Sequence, residues 1–87
     1  MIPRHDSMKI TLKLFALLGR YLPEGTSGNE AVLDLSQGTT VGGAMDSVGL
    51  PHELAHLVLV NGVYLAPSER PKRILAEGAA LAVWPPV

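Results

Sequence analysis

Polar and apolar residues alternate at two places near the start of the chain. In "MKITLKLF", Ile10, Leu12 and Leu14 fall on one side, and Lys9, Thr11 and Lys13 on the other. A period of two marks a strand with one buried face. Phe15 has the parity of the lysines, so the pattern places an aromatic ring on the polar face. "EAVLDLSQG" alternates again, with Ala31, Leu33 and Leu35 inward and Asp34 outward. Between them, "ALLGRYLPEG" predicts a one-turn helical piece with Leu18 and Leu22 on one side, stopped by Pro23 and Gly25. The two strands and their connection read as an antiparallel pair.

The period then changes. In "TTVGGAMDSVGLP", Val41, Ala44, Met45 and Val48 recur at i, i+3, i+4 and i+7, which predicts a helix. Thr39 or Thr40 caps its start, and Gly49 falls where a left-handed C-cap is wanted. Gly42 and Gly43 each weaken it by about 1 kcal/mol relative to Ala, so it depends on packing against the sheet. "LVLV", Leu57 to Val60, predicts a third strand. Asn61-Gly62 is a two-residue hairpin signal, because both turn positions tolerate positive φ, and "VYL" is the short return. "APSERPKR" is a polar loop, and "ILAEG" ends in a turn at Glu77-Gly78. "AALAVW" predicts the last strand, which Pro85-Pro86 stops.

One helix covers only one face of a sheet, so the other face meets water or a partner. Leu81 and Val83 share the inward parity of the last strand; Ala80, Ala82 and Trp84 point the other way. If the first and last strands pair, Phe15 comes near Trp84 among small alanines. An exposed aromatic pair over small residues is a candidate hot spot for protein binding, so Phe15, Ala82, Trp84, Pro85 and Pro86 are the expected partner-binding residues.

Composition sets limits on function. Eighty-seven residues make one domain. Residues 1–7 read as a flexible extension and 8–87 as the folded domain. The formal net charge is -1, with no basic surplus to attract a phosphate backbone, so no nucleic-acid partner is expected. The absence of cysteine excludes disulfides, thiolate metal sites and a cysteine nucleophile. No apolar run approaches the ~20 residues of a membrane span, and "MIPRHDS" lacks the apolar middle of a secretory signal, which points to the cytoplasm.

"HELAH", His52 to His56, fits the H-E-x-x-H pattern of zinc peptidases. That chemistry needs two histidines one turn apart on a long helix, a general-base glutamate, a third ligand and a substrate cleft. Pro51 precedes the motif and a strand begins near Leu57, leaving little more than one turn. The other histidine, His5, sits in the extension. His52, Glu53 and His56 therefore read as a chance match facing solvent, with Leu54 anchoring a short turn, and no metal site is expected. Ser7, Ser27, Ser36, Ser47 and Ser68 have no nucleophile-elbow setting, and no catalytic residue is assigned. The basic run from Arg70 to Arg73 reads as a solvated loop ahead of a docking patch for an acidic partner.

Four stretches together carry a family resemblance. "MKITLKLFALLGRYLPEG", "TTVGGAMDSVGLP", "LVLVNGVYL" and "ILAEGAALAVWPPV" resemble the MoaD/ThiS family of ubiquitin-like sulfur carriers across Met8 to Val87. The most specific pieces are "VNG" at Val60 to Gly62 and "PPV" at Pro85 to Val87. The double proline is more similar to the small subunit of molybdopterin synthase than to the thiamin-pathway carrier. The resemblance implies an α+β, β-grasp fold, with a mixed four- to five-stranded sheet packed on one main helix. It also implies a protein without an active site or bound cofactor of its own. In the family, a ubiquitin-activating-like adenylating enzyme uses ATP to activate a C-terminal glycine carboxylate, and sulfur then replaces the adenylate. The implied partners are that enzyme and the large subunit of molybdopterin synthase or another sulfur acceptor. The sequence departs from the family at its end. The family continues past "PPV" with one residue and Gly-Gly, whereas Pro85, Pro86 and Val87 are the nearest residues to such a tail here. The expectation is a sulfur carrier for molybdopterin or related biosynthesis, its competence tied to a longer form. The alternative is a non-catalytic ubiquitin-like interaction module.

Overall fold

The computed structural model describes residues 6–26 and 28–86. Among these residues the strands are β1 (Ser7–Leu14), β2 (Glu30–Ser36), β3 (Leu57–Val60), β4 (Val63–Tyr64) and β5 (Ala80–Trp84), and the one α-helix is α1 (Val41–Ser47). Short 3-10 turns occupy Ala16–Tyr21, His52–Leu54 and Pro67–Glu69. The sheet order is β2-β1-β5-β3-β4. β1 runs antiparallel to β2 and parallel to β5, while β3 is antiparallel to both β5 and β4. A mixed five-stranded sheet with one main helix is the β-grasp arrangement that the resemblance implied.

The alternation translates directly into layers. Met8, Ile10, Leu12 and Leu14 of β1 are all buried, as are Leu33 and Leu35, Val58 and Val60, and Leu81 and Val83. They share one cluster with Val41, Ala44 and Met45 of α1. The helix is short, and Thr40 caps it by accepting a hydrogen bond from the Gly43 N–H at 3.1 Å. β1 begins at Ser7, one residue before the apolar alternation does. Gln37 N–H donates to Asp6 O at 2.7 Å, so backbone pairing continues where the side chains turn polar. The rest of the expected extension, residues 1–5, lies outside the described residues, as do Ser27 and Val87.

The Asn61-Gly62 turn has the double positive φ that its sequence demands, 51° and 81°. Asn61 also ties the hairpin to the start of β5. Its N–H donates to Ala80 O at 2.8 Å, and its Oδ1 accepts from the Ala80 N–H at 2.9 Å. Glycine in its place keeps the backbone conformation and deletes only the side-chain bond. Asn61→Gly is therefore expected to cost about 1 kcal/mol in urea denaturation; an unchanged midpoint would show that water replaces the Oδ1.

The basic run corrects the sequence reading. Arg70 is buried at 7% exposure. Its Nη1 donates to Ala55 O at 2.6 Å and its Nη2 to His56 O at 3.2 Å. Lys72 and Arg73 remain exposed. The same segment lies across the start of the helix, where Gly42 N–H donates to Arg70 O and Val41 N–H to Arg73 O. "APSERPKR" is thus a packed strap whose first arginine points inward. Among the described residues no helix is long and apolar enough to cross a membrane.

Candidate docking face

Register places the open face residue by residue. Lys13 pairs with both Glu30 and Ala82, Ala82 with Leu59, and Leu59 with Tyr64. Paired residues share a face, so Glu30, Lys13, Ala82, Leu59 and Tyr64 form one row across all five strands. The next row sets Leu57 beside Trp84, and Phe15 follows Leu14 beside Trp84 at the end of β1. The Phe15 and Trp84 rings lie parallel, 4.3 Å between centroids and 4° between planes. Such contacts contribute about 0.5–1.5 kcal/mol beyond their buried area. Both rings are half-buried and Tyr64 is exposed.

The chain turns sharply beside this platform. Phe15 N–H still donates to Val83 O at 3.1 Å, and Ala16 then takes a positive φ of 53°. The turn throws Leu17 outward, 80% exposed, while Leu18 enters the core. Leu17, Arg20, Tyr21 and Leu54 line a groove of about 350 Å³ whose other wall is Pro85 and Pro86, where the chain leaves β5. The prolines remove the N–H groups that would let the strand continue. Backbone bonds hold the root of this exit. His56 N–H donates to Trp84 O at 2.9 Å, and His56 O is one of the two carbonyls gripped by Arg70.

The structure therefore brings Phe15, Ala82 and Trp84 together on the open face and sets Pro85 and Pro86 against the neighbouring groove; Val87 lies outside the described residues. Sequence reasoning missed Leu57, Leu59, Tyr64 and Leu17. "LVLV" is apolar at every position, so its sidedness had no local signal, and Leu17 depends on a backbone turn at an ordinary alanine. "HELAH" has no α-helix. His52–Leu54 is a single 3-10 turn, with Leu54 packed on the core and His52, Glu53 and His56 exposed. His52 Nε2 lies 2.7 Å from Asp46 Oδ1. Among the described residues no group of three His, Cys, Asp or Glu side chains is placed to hold a metal; His5 lies outside them.

Residues 7–87 match the family model described as Mut7-C ubiquitin. No protein with a curated description matches the sequence. Among solved structures, the Haloferax volcanii HVO 2177 protein is similar with a TM-score of 0.77 at 23% identity, covering 100% of this chain and 91% of that one. Small archaeal modifier protein 1 of Haloferax volcanii gives 0.66 at 28% identity, covering 92% and 99% respectively. A Pyrococcus furiosus protein assigned as molybdopterin converting factor, subunit 1, gives 0.66 at 22%, covering 92% and 99%.

Proposed function

The chain belongs to the Mut7-C ubiquitin family, and from that premise we propose that it acts as a ubiquitin-like carrier or modifier domain that docks through its open sheet face. The observation that carries this reading is the Phe15–Trp84 stack at the point where β5 ends and the chain leaves the sheet. A partner seated on the two rings lies beside the emerging segment, so one contact both binds the domain and aims the chain beyond Pro86. Apolar anchors of this kind, ringed by small and polar residues, dominate binding energy in protein interfaces. Phe15, Ala82 and Trp84 bind, and Pro85 and Pro86 stiffen the exit by fixing φ.

The finer reading is a sulfur carrier for molybdopterin or related biosynthesis. Similarity to a molybdopterin converting factor subunit and to small archaeal modifiers supports it. An adenylating enzyme would supply the activation with ATP, and the large subunit of molybdopterin synthase or another sulfur-accepting enzyme would receive the sulfur. The test incubates the protein, with and without Gly-Gly added after Val87, with an adenylating enzyme, ATP and a sulfur donor. The expected intact mass shows one oxygen exchanged for sulfur in the form ending in Gly-Gly. No exchange in either form removes the carrier reading and favours a non-catalytic interaction module. The breadth of the open face, which reaches Leu59 and Tyr64 far from the exit, is what keeps that second reading in view.

A further inference from the structure

Among the described residues, the backbone hydrogen-bond phase leaves the β2 edge of the sheet open. Leu14 N–H donates to Asn29 O at 2.9 Å, and Gln37 N–H to Asp6 O at 2.7 Å. Even-numbered residues of β1 therefore bond to odd-numbered residues at and around β2. The odd residues Thr11 and Phe15 turn their N–H groups the other way, to Ala79 O and Val83 O. Ala31, Leu33 and Leu35 accordingly spend their backbone groups on β1. Glu30, Val32 and Asp34 direct N–H and C=O outward, where no described residue meets them. The free stretch ends at Ser36, whose carbonyl accepts from both the N–H and Oγ1 of Thr39.

Exposed edges are ordinarily blunted by brevity, proline, lysine or a bulge. The opposite edge, β4, is only two residues long. β2 has seven residues, no proline, no lysine and an unbroken register from Ser7↔Ser36 to Lys13↔Glu30. Val32, at the centre of its open-face side, is 65% exposed. Glu30 and Asp34 flank Val32 on that side, each opposite a lysine of β1, with Lys9 Nζ on Asp34 at 2.9 and 3.1 Å. The charges thus run basic on β1 and acidic on β2, and the next strand outward completes the alternation if it is basic.

We propose that β2 receives an extended peptide that adds a strand to the sheet, with Lys or Arg opposite Glu30 and Asp34 and a β-branched or aromatic residue opposite Val32. Main-chain bonds to three alternate, outward-facing residues supply the attachment, and the two carboxylates four residues apart read the side chains. A second copy of this chain fits poorly. Antiparallel self-pairing centred on Val32 sets Glu30 against Asp34, and pairing centred on Leu33 sets two Asp34 carboxylates diagonally. The intervening partner positions meet Ala31, Leu33 and Leu35, which suits threonine or valine.

The probe is the capped peptide Ser-Lys-Thr-Val-Thr-Lys-Ser, titrated into isotope-labelled protein and followed by amide NMR. Saturable shifts and slowed amide exchange are expected at Glu30, Val32 and Asp34. The peptide with both lysines changed to glutamate is expected to bind about tenfold more weakly. Val32→Pro removes one outward N–H that β1 does not use, and is expected to weaken binding about tenfold with the β1–β2 ladder intact. Glu30→Lys keeps every backbone group and is expected to narrow or reverse the preference between the two peptides, so a misfolded proline variant does not rescue the proposal. Equal binding of both peptides, shifts confined to Leu59 and Tyr64, or no shifts would overturn it. So would edge protection that appears without peptide and grows with protein concentration, because that assigns the edge to a second copy.

Discussion

Arg70→Met is expected to cost about 3 kcal/mol in urea denaturation, a large share of the 5–15 kcal/mol typical of a small domain. The arginine is buried and bridges two consecutive carbonyls, at Ala55 and His56. Methionine fills much of the same volume but leaves both acceptors without a donor, at about 1–3 kcal/mol each. One effect runs the other way. Arg70 Nε is buried without a partner among the described residues, and removing the guanidinium also removes its desolvation cost. The two broken charge-assisted bonds outweigh that gain. Arg70→Lys is expected to lose about half as much, since a single ammonium lacks the planar fork that spans both carbonyls. A midpoint unchanged or raised in the methionine variant would mean that desolvation dominates and that the clasp contributes nothing to stability. His56 also holds Trp84 through its N–H, so the same variant is expected to broaden the amide signals of Trp84 and its β3 neighbour Leu57.

Under the proposed carrier function, Trp84→Ala is expected to weaken binding to an adenylating enzyme or sulfur acceptor about thirtyfold, the effect of losing an aromatic anchor of roughly 2 kcal/mol. The side chain lies on the open face and not in the helix-side core, so the fold should persist. The stability loss should stay near that of one aromatic contact, about 1 kcal/mol. Phe15→Ala tests the other half of the stack, and a smaller loss is expected because Trp84 keeps its place beside Leu57. Trp84 is the only tryptophan, so its emission reports docking directly in the unmodified protein. Titration calorimetry of both variants, with circular dichroism to verify folding, decides the matter. Full binding by a folded Trp84→Ala protein would move the docking surface elsewhere.

Most of the fold was legible because its signals are local. The two alternating segments, the helical spacing from Val41 to Val48 and the Asn61-Gly62 turn all appear in the structure within a residue or two. The parity of Phe15 and Trp84 was legible for the same reason: in a strand, side is a matter of counting. The basic run was misjudged because charge in sequence ordinarily means solvent. What buries Arg70 is a pair of carbonyls 15 and 14 residues earlier in the chain, exposed to it only by a 3-10 turn that leaves them free of helix bonds. The zinc-like letters at His52 to His56 fall on a single 3-10 turn, since Pro51 and the following strand leave no room for an α-helix.

By itself, then, the sequence determined where the strands, the helix and the hairpin lie, and which side chains of β1, β2, β5 and α1 turn inward. These depend on backbone periodicity and turn chemistry over a few neighbours. Only the tertiary structure decided the strand order, and with it the row from Glu30 to Tyr64, the groove beside the exit at Pro85 and Pro86, the burial of Arg70 and the open edge at Val32. Each of those is a relation between segments far apart in the chain. It arises when β5 inserts between β1 and β3, a long-range pairing that no local pattern encodes.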